Sequence, residues 1–220
     1  HEIKNPLTPI QLSAERMLRK HRSDAEDFDE VFEASVRSII REVEGLNRLL
    51  TEFRNFTRLP EPDLEQVSLR DLVGEAAETY TAHAQTAIHV DEVDEDFLVL
   101  ADRAQIRQVF SNLFANAVEA MDGGGEIRVR ADLVKRGNSY YARVQVRDSG
   151  PGIDGADHGK VFNPYFTTKP DGTGLGLAIV ERIVFDHGGQ IWFETEPGLG
   201  TTFFIDIPQG AGNEHGTGSR

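Results

Sequence analysis

The chain has 220 residues, no cysteine, and 37 acidic against 23 basic side chains, a formal net charge of −14. That balance opposes binding to the phosphate backbone of nucleic acid or to an anionic membrane surface, and the lack of cysteine excludes a disulfide framework and a thiolate metal site. No apolar run approaches the roughly 20 residues that span a bilayer, while a hydrophobic content of 39% supports an ordinary buried core.

Ile3, Leu7, Ile10, Ala14 and Met17 recur at helical spacing, and the polar, aperiodic "HRSDAEDFD" that follows reads as a connecting loop. Phe32, Val36, Ile39, Val43, Leu46, Leu50 and Phe53 then step by four and three, the pattern of a heptad seam. Residues 1–58 are thus predicted to form an antiparallel helical hairpin. Ile40, Leu49 and Phe56 widen the apolar face of the second helix beyond one strip. A second copy of the chain is the simplest cover, which predicts a homodimer with a four-helix bundle. His1 falls off the seam of the first helix, with Asn5 and Thr8 on the same outer face at i+4 and i+7. Pro6 and Pro9 predict a bend just after it.

The prolines of "LPEPDLEQ" mark a linker over 59–65, and a second domain over 66–208 follows. Its pattern predicts a strand at "QVSL", a helix from Arg70 to about Ala84, strands near "AIHVD" and "FLVLAD", and a helix from Asp102 to Met121. The alternating segments "EIRVRADLV" and "YYARVQVRD" come next, then a glycine-punctuated loop of more than twenty residues, a helix from Leu175 to Asp186 and a closing hairpin "QIWFETEPGLGTTFFIDIP". The fold class is α+β: a helical hairpin followed by a two-layer sandwich of a mixed sheet with helices on one face. The small, polar stretch 209–220 is expected to be disordered.

Asn112, Asn116 and Glu119 share one face of the Asp102 helix at i, i+4 and i+7. Such amides either bridge neighbouring loops or hold a hydrated magnesium ion through oxygen. In "VRDSGPGI", Asp148 ends a strand, and Gly150 and Gly152 let the backbone turn beside it. A carboxylate there accepts from an exocyclic amine such as that of adenine, or it simply belongs to a turn. In "DGTGLGLAIVERIV", Gly172, Gly174 and Gly176 open an amphipathic helix whose first amides make an anion site suited to a nucleoside triphosphate. The Lys and Ser/Thr of a Walker loop are absent, and so is the glycine order of a Rossmann fingerprint. "KVFNPYFTTK" offers Phe162 and Phe166 as hydrophobic latches; Lys160 and Lys169 either reach phosphate oxygens or are ordinary surface charges. The histidines other than His1 show no metal-ligand spacing, and His187 in "DHGG" reads as a helix C-terminal residue before a glycine turn.

"HEIKNPLTP", "NLFANAVEAM", "DSGPGI", "PYFTTK" and "GTGLGL" occur in that order, and together they resemble the H, N, G1, F and G2 boxes of bacterial sensor histidine kinases. The resemblance covers the chain from His1 to about Pro208, and "HEIKNPLTPIQLSAERM" is similar to the NtrY-type nitrogen-regulation sensor kinases. It implies a dimerisation and phosphotransfer hairpin ahead of a GHKL-type ATP-binding domain. His1 is then the phosphoacceptor, Glu2 its neighbouring base, and Asn5 the residue that positions water for dephosphorylating a response regulator. In the ATP site, Asn116 and Asn112 serve magnesium and phosphates, with Asn116 the metal ligand. Asp148 reads the adenine amine, Gly150, Gly152, Gly174 and Gly176 frame the nucleotide, Lys169 reaches the phosphates, and Thr201 lies near the adenine.

The implied cofactors are ATP and Mg2+. The implied partners are a second copy and a receiver domain, of the NtrX type by analogy, with no nucleic acid and no direct membrane contact. Starting at His1 without a methionine, the chain reads as a cytoplasmic piece of a longer protein anchored in the inner membrane. A non-catalytic nucleotide-binding scaffold and a GHKL ATPase without phosphotransfer are the alternatives.

Overall fold

The computed structural model describes residues 4–23, 27–81, 85–94, 97–122, 124–169 and 172–210. His1 and Glu2, the proposed phosphoacceptor and base, lie outside the described residues, as do residues 211–220 of the expected tail. The chain divides into two compact units: residues 1–58 with 168–173, and residues 59–167 with 174–220.

The first unit is a helical hairpin of α1 (Lys4–Arg22) and α2 (Phe28–Thr57). The helix α1 runs unbroken through Pro9, so the proline removes one backbone hydrogen bond without ending the helix. Among the described residues of α2, Val31 and Ser35 are buried, whereas Phe32, Val43, Leu50 and Phe53 remain 42–47% exposed. The intrachain contact therefore runs one residue ahead of the start of the predicted seam. Two helices cover only one stripe of each other, and the heptad apolar positions exceed what one partner helix can bury.

In the second unit, β1 (Glu65–Ser68) pairs antiparallel with β3 (Leu98–Ala101) as a small two-stranded sheet. The main sheet has the order β2-β4-β5-β7-β6, formed by β2 (Gln85–Glu92), β4 (Gly124–Arg136), β5 (Ser139–Asp148), β6 (Gln190–Glu196) and β7 (Gly200–Pro208). The β2–β4 pair is parallel and the other pairs are antiparallel. The helices α3 (Leu69–Thr81), α4 (Arg103–Ala120) and α5 (Gly176–Asp186) supply the second layer. Strand β5 shows why one face is covered: Ala142, Val144 and Val146 are buried, and Arg143, Gln145 and Arg147 alternate with them on the wetter face. Phe110, Phe114 and Ile106 of α4 and Ile183 of α5 are fully buried in the core.

The outer face carries one buried charge. The Asp206 carboxylate is fully buried and accepts from Arg143 at 2.9 and 3.1 Å, with an ion pair to Arg136 at 2.8 Å. Both guanidinium groups lie over Trp192, which stacks on Phe204 at 5.2 Å. One carboxylate thereby ties β4, β5 and β7 together, as a buried ion must be compensated. The long loop between β5 and α5 is not bare, as it holds a 3-10 helix at Gly155–Lys160 capped by Asp154, which accepts from the Ala156 amide at 2.8 Å. Its polar sequence has no apolar period to announce it.

Candidate functional site

The site is assembled around the end of β5. Asp148 is only 8% exposed, and its Oδ1 accepts two backbone hydrogen bonds, from Gly150 at 2.8 Å and from Thr201 at 3.2 Å. Among the described residues Oδ2 has no hydrogen-bond partner. Burial pushes the carboxyl above its ordinary range, and the two amide hydrogen bonds pull it back. An acceptor oxygen that is held in a fixed orientation and uncommitted suits a ligand N–H.

Glycines make the surroundings possible. At Gly200, with φ of +99°, a Cβ would come within 2.0 Å of the Asp148 carbonyl oxygen, so β7 approaches β5 only without a side chain there. Gly152, with φ of +81°, turns the following loop against the Glu196 carbonyl, where a Cβ would stand at 2.7 Å. Thr195 then fastens that loop. Its hydroxyl donates to the Gly200 carbonyl at 3.1 Å and accepts from the Ile153 amide at 2.9 Å. Its single proton being spent, the 3.1 Å contact with Thr201 makes the Thr201 hydroxyl the donor.

The second wall comes from α4 and α5. The Asn112 amide donates to the Gly176 carbonyl at 3.3 Å, and the Asn116 amide nitrogen stands 4.0 Å from where a Gly176 Cβ would be. Leu175 precedes α5 without a side-chain cap. The first amides of α5 thus make no hydrogen bond to the N-cap side chain, and a helix start of that kind can hold an anion. Gly174, with φ of +67°, closes the loop: its carbonyl accepts from the Tyr165 amide at 2.9 Å, and a Cβ would stand 2.4 Å from the Tyr165 carbonyl carbon. Phe162 docks on Phe193 and Phe203, with ring centroids 6.1 and 6.4 Å away.

The fold thus gathers Asp148, Gly150, Gly152 and Thr201 on one side and Asn112, Asn116, Gly174 and Gly176 on the other. Lys169 falls in the 168–173 stretch that groups with the hairpin. Asn5 is exposed in the first turn of α1. Thr195 and Gly200 are the residues that sequence reasoning missed. The signal for Thr195 was the turn itself: pairing β6 with β7 across "EPGLG" sets Thr195 opposite Thr201.

Residues 101–211 match the family model of histidine kinase-, DNA gyrase B-, and HSP90-like ATPases, and residues 1–62 match that of the His Kinase A (phospho-acceptor) domain. The nitrogen regulation protein NtrY of Azorhizobium caulinodans is 35% identical over 204 residues, covering 90% of this chain and 26% of that protein. The signal transduction histidine-protein kinase AtoS of Escherichia coli is 34% identical, covering 94% of this chain and 33% of that protein. The chain therefore spans about a quarter to a third of the length of these curated relatives. Among solved structures, histidine kinase ThkA in complex with response regulator protein TrrA aligns with a TM-score of 0.71 at 30% identity, over 96% of this chain and 59% of that one. Full-length ShkA in complex with AMPPNP aligns with a TM-score of 0.68 at 26% identity, over 97% of this chain and 45% of that one.

Proposed function

The chain belongs to the two-component sensor histidine kinases, and on that premise we propose that it is an ATP-dependent protein-histidine kinase whose phosphoacceptor is His1. A ring nitrogen of His1 attacks the γ-phosphorus of ATP, the bond to the ADP oxygen breaks, and Glu2 takes the ring proton. The phosphoryl group then passes to an aspartate of a response regulator, and Asn5 orients the water that hydrolyses that aspartyl phosphate to free phosphate in a second, dephosphorylating activity. Two copies join through their hairpins, a reading supported by the apolar residues that stay exposed on α2.

The observation that carries the nucleotide reading is Asp148, a buried carboxylate with one oxygen fixed by two amides and the other uncommitted. Oδ2 accepts from the adenine amine, and the backbone at Gly150 and Gly152 leaves room for the flat ring. The α5 amides and Asn112 face the phosphates. Asn116, a half-buried amide beside Gly176, has the oxygen donor that Mg2+ prefers. When bound, that ion supplies charge neutralisation on the phosphates. Lys169 reaches the phosphates from its loop, and Thr201 borders the adenine. The regulator is of the NtrX type by analogy with the NtrY relative. No helix among the described residues is long and apolar enough to cross a membrane.

Calorimetric titration with a non-hydrolysable ATP analogue tests the site. Saturable, one-to-one binding that strengthens with magnesium supports it, whereas no binding with or without magnesium removes the reading.

A further inference from the structure

The helices α4 and α5 lie side by side, and both ends of α5 are tied to α4 by hydrogen bonds that belong to neither helix's own ladder. At one end the Asn112 amide of α4 donates to the carbonyl of Gly176, the first residue of α5. At the other, His187, the C-cap of α5, accepts through Nε2 from the backbone N–H of Asp102, the N-cap of α4, at 3.0 Å. The two ties agree in length: the ten-residue step from Asp102 to Asn112 and the eleven-residue step from Gly176 to His187 each span roughly 15–17 Å at about 1.5 Å per residue. Two antiparallel helices with matched lengths between matched ties form a closed frame.

His187 is 4% exposed, and its Nδ1 stands 2.8 Å from the Ile183 carbonyl oxygen. A carbonyl only accepts and a backbone amide only donates, so the ring is fixed as the Nδ1–H tautomer, with Nε2 open to Asp102. The Asp102 end is a firm post. Its Oδ1 accepts from the Gln105 amide at 3.0 Å, its Oδ2 accepts from the Asp63 amide at 3.2 Å, and the Gln105 side chain donates to the Pro60 carbonyl at 3.1 Å.

We propose that His187 is a positioning residue for the nucleotide, setting where α5 stands along α4 and hence where the first α5 amides stand relative to Asn112 and Asn116. The apolar contacts between the helices cannot do this alone, because hydrophobic packing is non-directional. Without the ring the tie at the C-terminal end of α5 is lost, and α5 shifts along α4. A shift of a few tenths of an ångström at its N-terminus takes amides past the roughly 3.2 Å limit of good hydrogen bonds to an oxygen. The inference rests on reading α4 and α5 as walls of the nucleotide site.

Two variants of the full chain separate the possibilities. His187→Asn keeps a donor for the Ile183 carbonyl but is too short to reach Asp102, and His187→Gln restores an acceptor near the position of Nε2. Affinity for the non-hydrolysable ATP analogue is measured well below the melting temperature of each. The proposal expects about tenfold weaker binding in His187→Asn, the weight of about one hydrogen bond from a displaced α5 amide to the ligand, and His187→Gln within about twofold of the parent. The side-chain amide resonances of Asn112 and Asn116 shift in the first variant and not in the second. Unchanged affinity in His187→Asn with a lowered melting temperature makes the ring a stability residue alone and overturns the proposal, and so does equal loss in both variants. The parent chain gives a check that needs no variant: nitrogen shifts of the His187 ring showing an Nε2–H tautomer would also overturn it. A parent chain that binds no analogue fails the nucleotide reading itself, and the proposal falls with it.

Discussion

The Thr201 amide donates to Asp148 Oδ1 across 53 residues of chain, at 3.2 Å. With the Gly150 amide on the same oxygen, it fixes the carboxylate's orientation and leaves Oδ2 as the only acceptor to offer. Asp148→Asn keeps the Oδ1 acceptor for both amides and puts an NH2 group where Oδ2 was. The fold survives, and the adenine amine meets a donor instead of an acceptor. ATP affinity falls by about 10–100-fold, the cost of one unmade buried hydrogen bond. Titration of both proteins with the ATP analogue, alongside their melting temperatures, reads the two effects separately.

The same carboxylate sets a pH dependence. Burial raises its folded-state pKa above the ordinary 3.8. Its protonated form thus adds stability that is fully present below the unfolded value and is lost as pH rises through the folded value. Adenine recognition needs the ionised oxygen, so the dependence of binding runs the other way. ATP affinity declines on acidification, beginning above the usual carboxylate range, and the decline is absent in Asp148→Asn. Dissociation constants across the acid range for the two proteins check this.

Gly174 joins a positive φ to a contact that no Cβ tolerates, with the Tyr165 carbonyl carbon 2.4 Å from the place a Cβ would take. Gly174→Ala forces the loop open at the entrance to α5 and costs on the order of 1–3 kcal/mol. Gly155→Ala is the matched control, because nothing lies within 4 Å of its Cβ position and its φ is not positive. Thermal melts of both variants, followed by nucleotide titration, should show a loss only in Gly174→Ala.

Much of this architecture is legible in the residues themselves. Strand β5 announces itself by alternation, and α4 by a periodic apolar face and by Asp102, whose side chain accepts from the Gln105 amide as an N-cap should. The N, G1 and G2 boxes mark both walls of the site because each puts its special residue type at a fixed offset. What stayed hidden depends on distance along the chain. Thr195 acts only because β6 lies beside β7, and Gly200 only because β7 approaches the Asp148 carbonyl. The heptad pattern of α2 was visible, yet it does not say which of its stripes faces α1. The 3-10 helix was invisible because "GADHGK" carries no apolar period.

Phe32 and Leu50 stay 47% and 43% exposed on α2. If a second copy covers them, light scattering reads twice the 24.5 kDa chain mass. Phe32→Asp with Leu50→Asp returns it to the single mass, because burying two carboxylates in an apolar seam costs several kcal/mol. The nucleotide affinity of the sheet domain is unchanged in that variant. A dimer that persists in it would move the interface elsewhere.

The most direct measurement of the central claim is incubation of the chain with magnesium and γ-labelled ATP, beside its His1→Gln variant. The account predicts acid-labile, base-stable label on the parent chain and none on the variant, with equal nucleotide binding by both. Label that persists in the variant, or ATP bound by the parent without any label, would contradict it.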